Sequence, residues 1–517
     1  MKLKHIFNQV KFYWKTYGVW KTIKKCFVKI KNIVLRKEGK NVSNYKLWIK
    51  NNEPNKEELK KQKEHKFKIE PKISIIVPMY NTSLIFFEEL VKNLIYQTYS
   101  NWELCLADGS PEKNKELENI IKKDNRIKYK FLNENKGISG NTNEALAMAT
   151  GDYIGLLDHD DLLPIFCLYE VVKCINENPD VEFIYTDEDK ISGKNWERKD
   201  PYFKPDFSID TLRCNNYITH FTIFKKELLK DKIGGFRDKY NGAQDFDVVL
   251  RASENTDKIV HIPKILYHWR VHENSTAMIS SAKPYAYEAG KKVLEDYFER
   301  QHIKAKVNHG GEIWGIYEVQ YEFKGNPKVS ILIPNKDSIK LLRNCINSIL
   351  KLSTYDNYEI IIIENNSENE KTFDYYETIQ KLDKVKVITY PEKGFNYSKI
   401  INYGVKNCDG DFVLQLNSDT EVITPNWLEK FIGYGAREEV GVVGARLYYK
   451  DKSIQHAGIV VGICGLAANM LTALPKGVHA YYGKDCLIQN VSAVTGACLF
   501  SRRSIYEEVR LYGRRKI

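Results

Sequence analysis

Short apolar runs alternate with segments of helical periodicity through the first third of the chain. The run Lys72–Tyr80 is rich in β-branched residues and carries a proline near its end, which is typical of a buried strand. Apolar residues recur at helical spacing from Phe86 to Tyr96, which predicts a helix. Further strands are predicted at Trp102–Ala107, Ile127–Leu132 and Tyr153–Leu157, and further helices at Asn114–Lys123 and Ser139–Thr150. This alternation predicts an α/β fold with a mostly parallel sheet covered by helices on both faces.

The same pattern returns about 256 residues later in the chain. Three sequences match in order: VSILIPNKD at Val329–Asp337 with ISIIVPMYN at Ile73–Asn81, YEIIIIENNS at Tyr358–Ser367 with WELCLADGS at Trp102–Ser110, and GDFVLQLNSD at Gly410–Asp419 with GDYIGLLDHD at Gly151–Asp160. Ordered matches at nearly constant spacing indicate an internal duplication of a large unit.

The repeat divides the chain into five parts. Between the two copies, a helix is predicted at Tyr285–Gln301 and a strand at Ile313–Phe323. The expected parts are a basic amphipathic helical segment at 1–50, a charged linker at 51–70, a first unit at 71–300, a connector at 301–326 and a second unit at 327–517.

Most of the positive charge lies at the N-terminus. The net charge is +12, and residues 1–40 carry twelve Lys and Arg against one acid, Glu38, so a nucleic-acid-binding body is not expected. Apolar and aromatic residues from Phe7 to Val34 follow one another at gaps of three and four, with lysines on the other faces. This stripe favours contact with an anionic membrane surface, the alternative being a helix packed on the protein itself.

The cysteines and one uncharged stretch give information on the cellular location of the protein. The ten cysteines form no CxxC pair, and several lie in apolar runs, which indicates free thiols in a reducing cytosol. No signal peptide is visible, so we expect a cytoplasmic protein at the inner face of the plasma membrane. The stretch Ala457–Leu474 is long enough to span a membrane, but its glycines, Asn469 and Thr472 favour a Gly-rich buried loop and strand.

An acidic cluster, Asp158-His159-Asp160-Asp161, directly follows a predicted strand. Ligands of open parallel sheets bind beyond the carboxyl ends of the strands. Three carboxylates there repel one another unless they are solvated, hydrogen-bonded or bound to a cation, and oxygen ligands suit Mg²⁺ or Mn²⁺. The alternative is a solvated acidic turn that caps the next helix.

Two other strand ends are expected beside this cluster. Pro78, Tyr80 and Asn81 end the first strand, and Asp108-Gly109-Ser110 ends the second. The aspartate could accept from a base N–H while the glycine lets the backbone approach closely, although both segments could be ordinary strand-exit turns.

Taken together, SIIVPMYN, LADGS, NKGISGNTNEAL, GDYIGLLDHDD and GAQDFDVVLRA resemble a family 2 glycosyltransferase with the GT-A fold. Their tandem arrangement resembles enzymes of bacterial cell-surface polysaccharide assembly. The resemblance covers about 230 residues of the first copy and most of the second. It implies an enzyme that transfers a sugar from a nucleotide-sugar donor, with a UDP- or dTDP-sugar expected, to a glycan or lipid-linked acceptor.

The family's site residues map onto matching positions. Pro78, Tyr80 and Asn81 would flank the nucleoside, Asp108 would bind a uracil-type base, and Asp158 and Asp160 match the DxD motif, with Asp160 as metal ligand. Asp245 would be the general base, and Gln244 replaces an acid, which leaves acceptor binding open. His268, a second expected metal ligand, and Arg270 would close the diphosphate site beside Asp161, or belong to a strand with an exposed rim.

The second copy departs from this pattern. Asn417 stands where the first copy has Asp158, although Asp419 and Glu421 remain. Thr495–Tyr512 aligns with Thr219–Phe236, so the position matching Asp245 would fall at 521, beyond residue 517. We therefore expect an incomplete second unit with no catalytic role.

Two other functions compete with this one. The first is a sugar-nucleotide or glycan-binding protein without turnover, against which Asp245 and the complete acidic cluster argue. The second is a nucleotidyltransferase, which normally needs a Gly-rich basic phosphate loop that is not found near Tyr80. The sequence does not identify the sugar, the linkage or the acceptor.

Overall fold

The computed structural model describes residues 44–192, 196–272, 284–311, 313–463 and 465–509. The apolar stripe from Phe7 to Val34 and the basic tail after Val509 lie outside the described residues.

The first unit is built on an eight-stranded sheet. Its strands are β1 Ile73–Met79, β2 Trp102–Asp108, β3 Ile127–Phe131, β4 Tyr153–Leu156, β5 Phe183–Ser192, β6 Glu197–Tyr202, β7 Thr222–Lys225 and β8 Ile259–Val271. The strand order is β3-β2-β1-β4-β7-β5-β6, with β8 paired to β5. Strands β1 to β4 pair in parallel and β7 is antiparallel to β4, so the carboxyl ends of β1, β2 and β4 share one edge.

Helices cover this sheet. They are α1 Asn44–Asn52, α2 Lys56–Glu64, α3 Leu84–Ile95, α4 Lys115–Ile121, α5 Gly137–Met148, α6 Cys167–Glu177, α7 Ile209–Cys214, α8 Gln244–Asn255 and α9 Pro284–Arg300. Short π- and 3₁₀-helical segments lie at Glu227–Lys232 and Asp238–Tyr240. Side chains of β1 alternate between two apolar cores, Ile76 in one and Ile75 and Val77 in the other, which is why this strand reads as continuously apolar.

A hairpin leads into the second unit. It pairs β9 Ala305–His309 with β10 Tyr317–Tyr321. The strands that follow are β11 Val329–Asn335, β12 Tyr358–Glu364, β13 Val385–Thr389, β14 Phe412–Leu416, β15 Val443–Gly444, β16 Leu447–Tyr448, β17 Ile454–His456, β18 Ile459–Val461, β19 Ala467–Asn469 and β20 Cys498–Arg502. The helices are α10 Ile339–Leu352, α11 Glu370–Ile379, α12 Tyr397–Lys406, α13 Trp427–Gly435 and α14 Arg503–Glu508, with a 3₁₀ turn at Tyr481–Gly483.

The two main sheets share their architecture. The second has the order β13-β12-β11-β14-β20-β15, which repeats β3-β2-β1-β4-β7-β5. A buried hydrogen bond also repeats, since the Ser74 hydroxyl donates to Glu103 over 2.6 Å and the Ser330 hydroxyl to Glu359 over 2.5 Å. The common strand order agrees with the repeat in the sequence and confirms the α/β fold class.

Two local expectations need correction, and one is extended. The segment expected as a linker contains helix α2, which Asn55 and Glu58 stabilise with a capping box. The strand predicted at Ile313–Phe323 is present as β10, and it pairs with a further strand, β9, to form a hairpin. The stretch 457–474 is not buried: it forms the ribbon β18–β19 outside both cores, and the Leu466 side chain is 82% exposed.

Two further observations concern membrane-spanning helices and cysteines. Among the described residues, no helix is both long and apolar enough to cross a membrane. The described cysteines are all free, and all except Cys486 are buried.

Candidate active site

The ends of β1 and β2 form one side of the candidate site. Asp108 is buried; its Oδ1 accepts hydrogen bonds from the backbone and hydroxyl of Ser110, and its Oδ2 from the Tyr129 hydroxyl. The Ser110 hydroxyl oxygen accepts from the backbone N–H of Asn81 over 2.8 Å, which ties the two strand ends together. Tyr80, next to Asn81, has an exposed side chain, and Pro78 lies within β1.

Gly109 is required by its surroundings. A Cβ atom at this position would lie 2.7 Å from Asn141 Nδ2 and 3.2 Å from the Asn135 backbone. Helix α5, which carries Asn141, therefore packs directly against the end of β2.

The acidic loop after β4 is fixed to the end of β8. Asp161 is buried, and its carboxylate accepts from the Tyr267 hydroxyl and the Arg270 backbone N–H, each over 2.6 Å. Burial, and then the charges of Asp160 and Asp158, raise the pKa of Asp161 well above its ordinary value. Asp161 therefore fastens the loop to β8 and is shielded from solvent.

Arg270 strengthens the same attachment. Its Nε donates to the backbone carbonyl of Asp160 over 2.5 Å, and its guanidinium pairs with Glu89 of α3 at 2.7 Å. The guanidinium also lies over the Phe86 ring, 4.6 Å from its centroid. These contacts indicate that Arg270 supports the loop from behind, at the predicted diphosphate site.

Asp160 meets a histidine that the sequence reasoning left out. His272 Nε2 lies 2.8 Å from Asp160 Oδ2. The predicted ligand, His268, instead has its Nδ1 2.5 Å from the buried carboxylate of Asp189. A carboxylate behind a histidine is the usual support for a metal-binding imidazole, and Asp189 gives His268 this support, while His272 contacts the Asp160 carboxylate directly. The alternation of His268, Arg270 and His272 at the end of β8 was the available sequence signal.

Asp158 faces a buried cationic network. The side chain is 49% exposed, and its Oδ2 lies 4.0 Å from His220 Nε2. The ring of His220 stacks on Tyr267 at 4.5 Å, which holds the imidazole beside the acidic loop.

His220 is in turn held by Glu188 and Lys204. Its Nδ1 lies 3.4 Å from Glu188, whose carboxylate also pairs with the buried Lys204 ammonium at 3.0 Å. Burial lowers the pKa of His220, but hydrogen bonding to Glu188 and the charges of Glu188 and Asp158 outweigh it and raise the pKa to about 9. The imidazole is therefore cationic at neutral pH and adds positive charge where a diphosphate is expected.

Asp245 lies in the first turn of α8. Its Oδ2 accepts from Asn216 Nδ2 over 2.9 Å. Gln244 accepts from the backbone N–H of Gly242 through its Oε1 over 2.8 Å, so it closes the turn that starts the helix.

Comparison with known proteins identifies relatives over most of the chain. The model of Glycosyl transferase family 2 matches residues 74–232 and 330–510, so Asp245 and β8 lie beyond the first matched segment. The uncharacterized protein y4gI of Sinorhizobium fredii is 40% identical over 85% of this chain and 49% of its own length. The O-antigen biosynthesis protein RfbC of Myxococcus xanthus is 33% identical over 90% of this chain and 36% of its own length. The chain thus spans half or less of these relatives.

TarS of S. aureus is among the solved structures that this chain matches. The crystal structure of S. aureus TarS 1–349 in complex with UDP-GlcNAc has a TM-score of 0.36 and 23% sequence identity, covering 43% of this chain and 65% of that one. The two mostly parallel sheets and the two segments matched by the family model agree with the GT-A fold expected from the sequence.

Proposed function

This chain belongs to glycosyl transferase family 2, and from that premise we propose that its first unit, residues 71–300, is an inverting, metal-dependent glycosyltransferase. It would move a sugar from a UDP- or dTDP-sugar to a glycan or lipid-linked acceptor in cell-surface polysaccharide synthesis. The observation that carries this proposal is the carboxyl edge shared by β1, β2 and β4, which carries Asp108 at the end of β2 and the acidic loop Asp158–Asp161 after β4.

Asp245 is proposed as the general base. An acceptor hydroxyl must lose its proton as it attacks the anomeric carbon, and a carboxylate within hydrogen-bond reach can take it. The hydrogen bond from Asn216 orients the Asp245 carboxylate, leaving its other oxygen for the acceptor. One base opposite the leaving group gives a single displacement and inversion of the anomeric centre.

The acidic loop is proposed to hold Mn²⁺ or Mg²⁺ through Asp160, with His268 or His272 as the imidazole ligand. Carboxylate oxygen is a ligand that suits Mn²⁺ and Mg²⁺. The cation would neutralise charge on the leaving nucleoside diphosphate. The cationic His220 would support the same charge, and Asp108, with Pro78, Tyr80 and Asn81 beside it, would bind the nucleoside.

A donor panel tests this function. Purified protein is incubated with Mn²⁺, a short glycan or lipid-linked acceptor, and UDP-, dTDP- or GDP-sugars, and nucleoside diphosphate release is measured. We expect release that requires both metal and acceptor. Tight binding of one donor with no release under any of these conditions would favour the binding protein without turnover.

The second unit is proposed to be non-catalytic. Its loop after β14 carries Asn417 in place of Asp158. Replacing Asn417 and Asp419 by Ala should leave turnover within about threefold of the wild type. A loss of more than tenfold in a folded variant would show that the second unit also reacts.

The N-terminal segment is proposed to bind the cytoplasmic face of the plasma membrane. Deleting residues 1–40 removes a net charge of +11, twelve basic residues less one acid, together with the aromatic stripe. The truncated protein should stop co-sedimenting with vesicles that contain phosphatidylglycerol. Unchanged sedimentation would mean that the segment packs on the protein, and phosphatidylcholine vesicles provide the control for charge.

A further inference from the structure

Two tyrosines of the second unit hold the end of β6 in the first unit. The Tyr481 hydroxyl donates to the Pro201 carbonyl over 2.5 Å and accepts from the Phe203 backbone N–H over 2.8 Å. The Tyr482 hydroxyl donates to the Asp200 carbonyl over 2.8 Å, and its ring stacks on Tyr202 with centroids 3.9 Å apart. We call Tyr481 and Tyr482 the tyrosine clamp.

The clamp takes the place of a neighbouring strand. Strand β6 is the last in the order of the first sheet, so within the described part of the chain one row of its backbone N–H and C=O groups has no strand partner. Tyr481 satisfies one donor and one acceptor of this edge with a single hydroxyl. Other contacts between the units lie nearby, since Ser208 donates to Asn490 over 2.9 Å and Arg437 pairs with Asp210 at 2.6 Å.

The segment under the clamp leads directly to Lys204. The Lys204 backbone N–H donates to Asp187 over 2.8 Å, and its buried ammonium donates to the Ile218 carbonyl over 2.6 Å and to the His220 carbonyl. The ammonium also pairs with Glu188, which holds His220 beside Asp158. A shift of the β6 end would therefore move Lys204, Glu188 and His220, which lie behind Asp158.

The opposite side of the segment is also held. The Trp48 ring of α1 packs on the Phe203 ring with centroids 4.9 Å apart, and Arg198 of β6 pairs with Glu53 at 2.6 Å. Residues 198–203 thus contact both helix α1, with the adjoining Glu53, and the clamp. Loss of the clamp would leave the contacts to Trp48 and Glu53 in place.

We propose that Tyr481 and Tyr482 are positioning residues for the donor site of the first unit. The second unit then contributes to sugar transfer by fixing Lys204, Glu188 and His220 behind Asp158, while its own acidic loop takes no part in catalysis. This inference rests on the proposed function, because the donor site is defined by it.

The test compares Tyr481→Phe, Tyr482→Phe and the double variant with the wild type. Phenylalanine keeps the rings and removes the hydroxyls, so the fold should survive. We expect the donor KM to rise by about threefold to fivefold for each single variant and about tenfold or more for the double variant, as for one to three lost hydrogen bonds. The acceptor KM should stay within twofold of the wild-type value.

Tyr449→Phe, which alters a 45%-exposed tyrosine of the second unit, is the matched control and should match the wild type.

Hydrogen exchange provides a readout that does not need activity. In the double variant, the backbone amides of 200–204 and 218–222 should exchange at least tenfold faster than in the wild type and in Tyr449→Phe. Unchanged exchange together with an unchanged donor KM would overturn the clamp. Absence of transfer by the wild type would instead count against the proposed function, and exchange alone would then decide whether the clamp orders this segment.

Discussion

Asp160→Asn is expected to reduce sugar transfer by about 10³-fold or more, because a divalent cation supplies several kcal/mol of stabilisation to the leaving diphosphate. The side chain is 21% exposed and its carboxylate faces His272. Asparagine keeps the size and one oxygen acceptor for the imidazole, but loses the charge that a cation requires. Initial rates at increasing Mn²⁺ concentrations, with thermal unfolding as a check on folding, measure the effect.

Asp419→Asn is the matched control for Asp160→Asn. Asp419 occupies the corresponding position after β14, so the same chemical change is made in the second unit. It should leave the rate within about threefold of the wild type. Retained activity of Asp160→Asn in saturating Mn²⁺ would count strongly against Asp160 as the metal ligand and would direct attention to Asp158.

The sequence predicted the features that depend on neighbours along the chain. The strands β1, β2 and β4 were predicted within one or two residues, because each is a short apolar run that lies between two layers of helices. The acidic loop was predicted to lie at the carboxyl edge for the same reason, since the strand before it defines where it begins.

The features that depend on distant pairs were missed. Glu188 and Lys204 have no local pattern that sets them apart, and His220 meets Asp158 only after β5 and β7 have paired with the central sheet. Asp161 was expected near the diphosphate. The hydrogen bond that its buried carboxylate accepts from the Tyr267 hydroxyl, over a hundred residues away in sequence, was not predicted. Spacing along one chain cannot reveal such partners.

Arg270 and His268 lie beside the acidic loop, but the contacts that their side chains make there were not predicted from the sequence. Both were expected to close the diphosphate site, and both do lie beside the acidic loop. However, the Arg270 side chain contacts Glu89 and a backbone carbonyl, and His268 contacts Asp189 through Nδ1. His268, Arg270 and His272 are spaced two apart and are expected on one face of the strand, so periodicity does not separate a residue that supports the site from one that meets its ligand.

Asp245→Asn is expected to lower turnover by about 10²- to 10⁴-fold, the usual contribution of general-base catalysis. The amide can still accept the hydrogen bond from Asn216, so the position of the side chain is kept while its ability to take a proton is lost. Donor KM should change by less than about twofold, because the base faces the acceptor.

Asp257→Asn, an exposed change just beyond the other end of α8, is the matched control and should match the wild type. Steady-state rates with donor and acceptor varied separately distinguish the two substrates. If Asp245→Asn instead loses donor binding while turnover at saturating donor survives, Asp245 belongs to the nucleotide site and another group must take the proton.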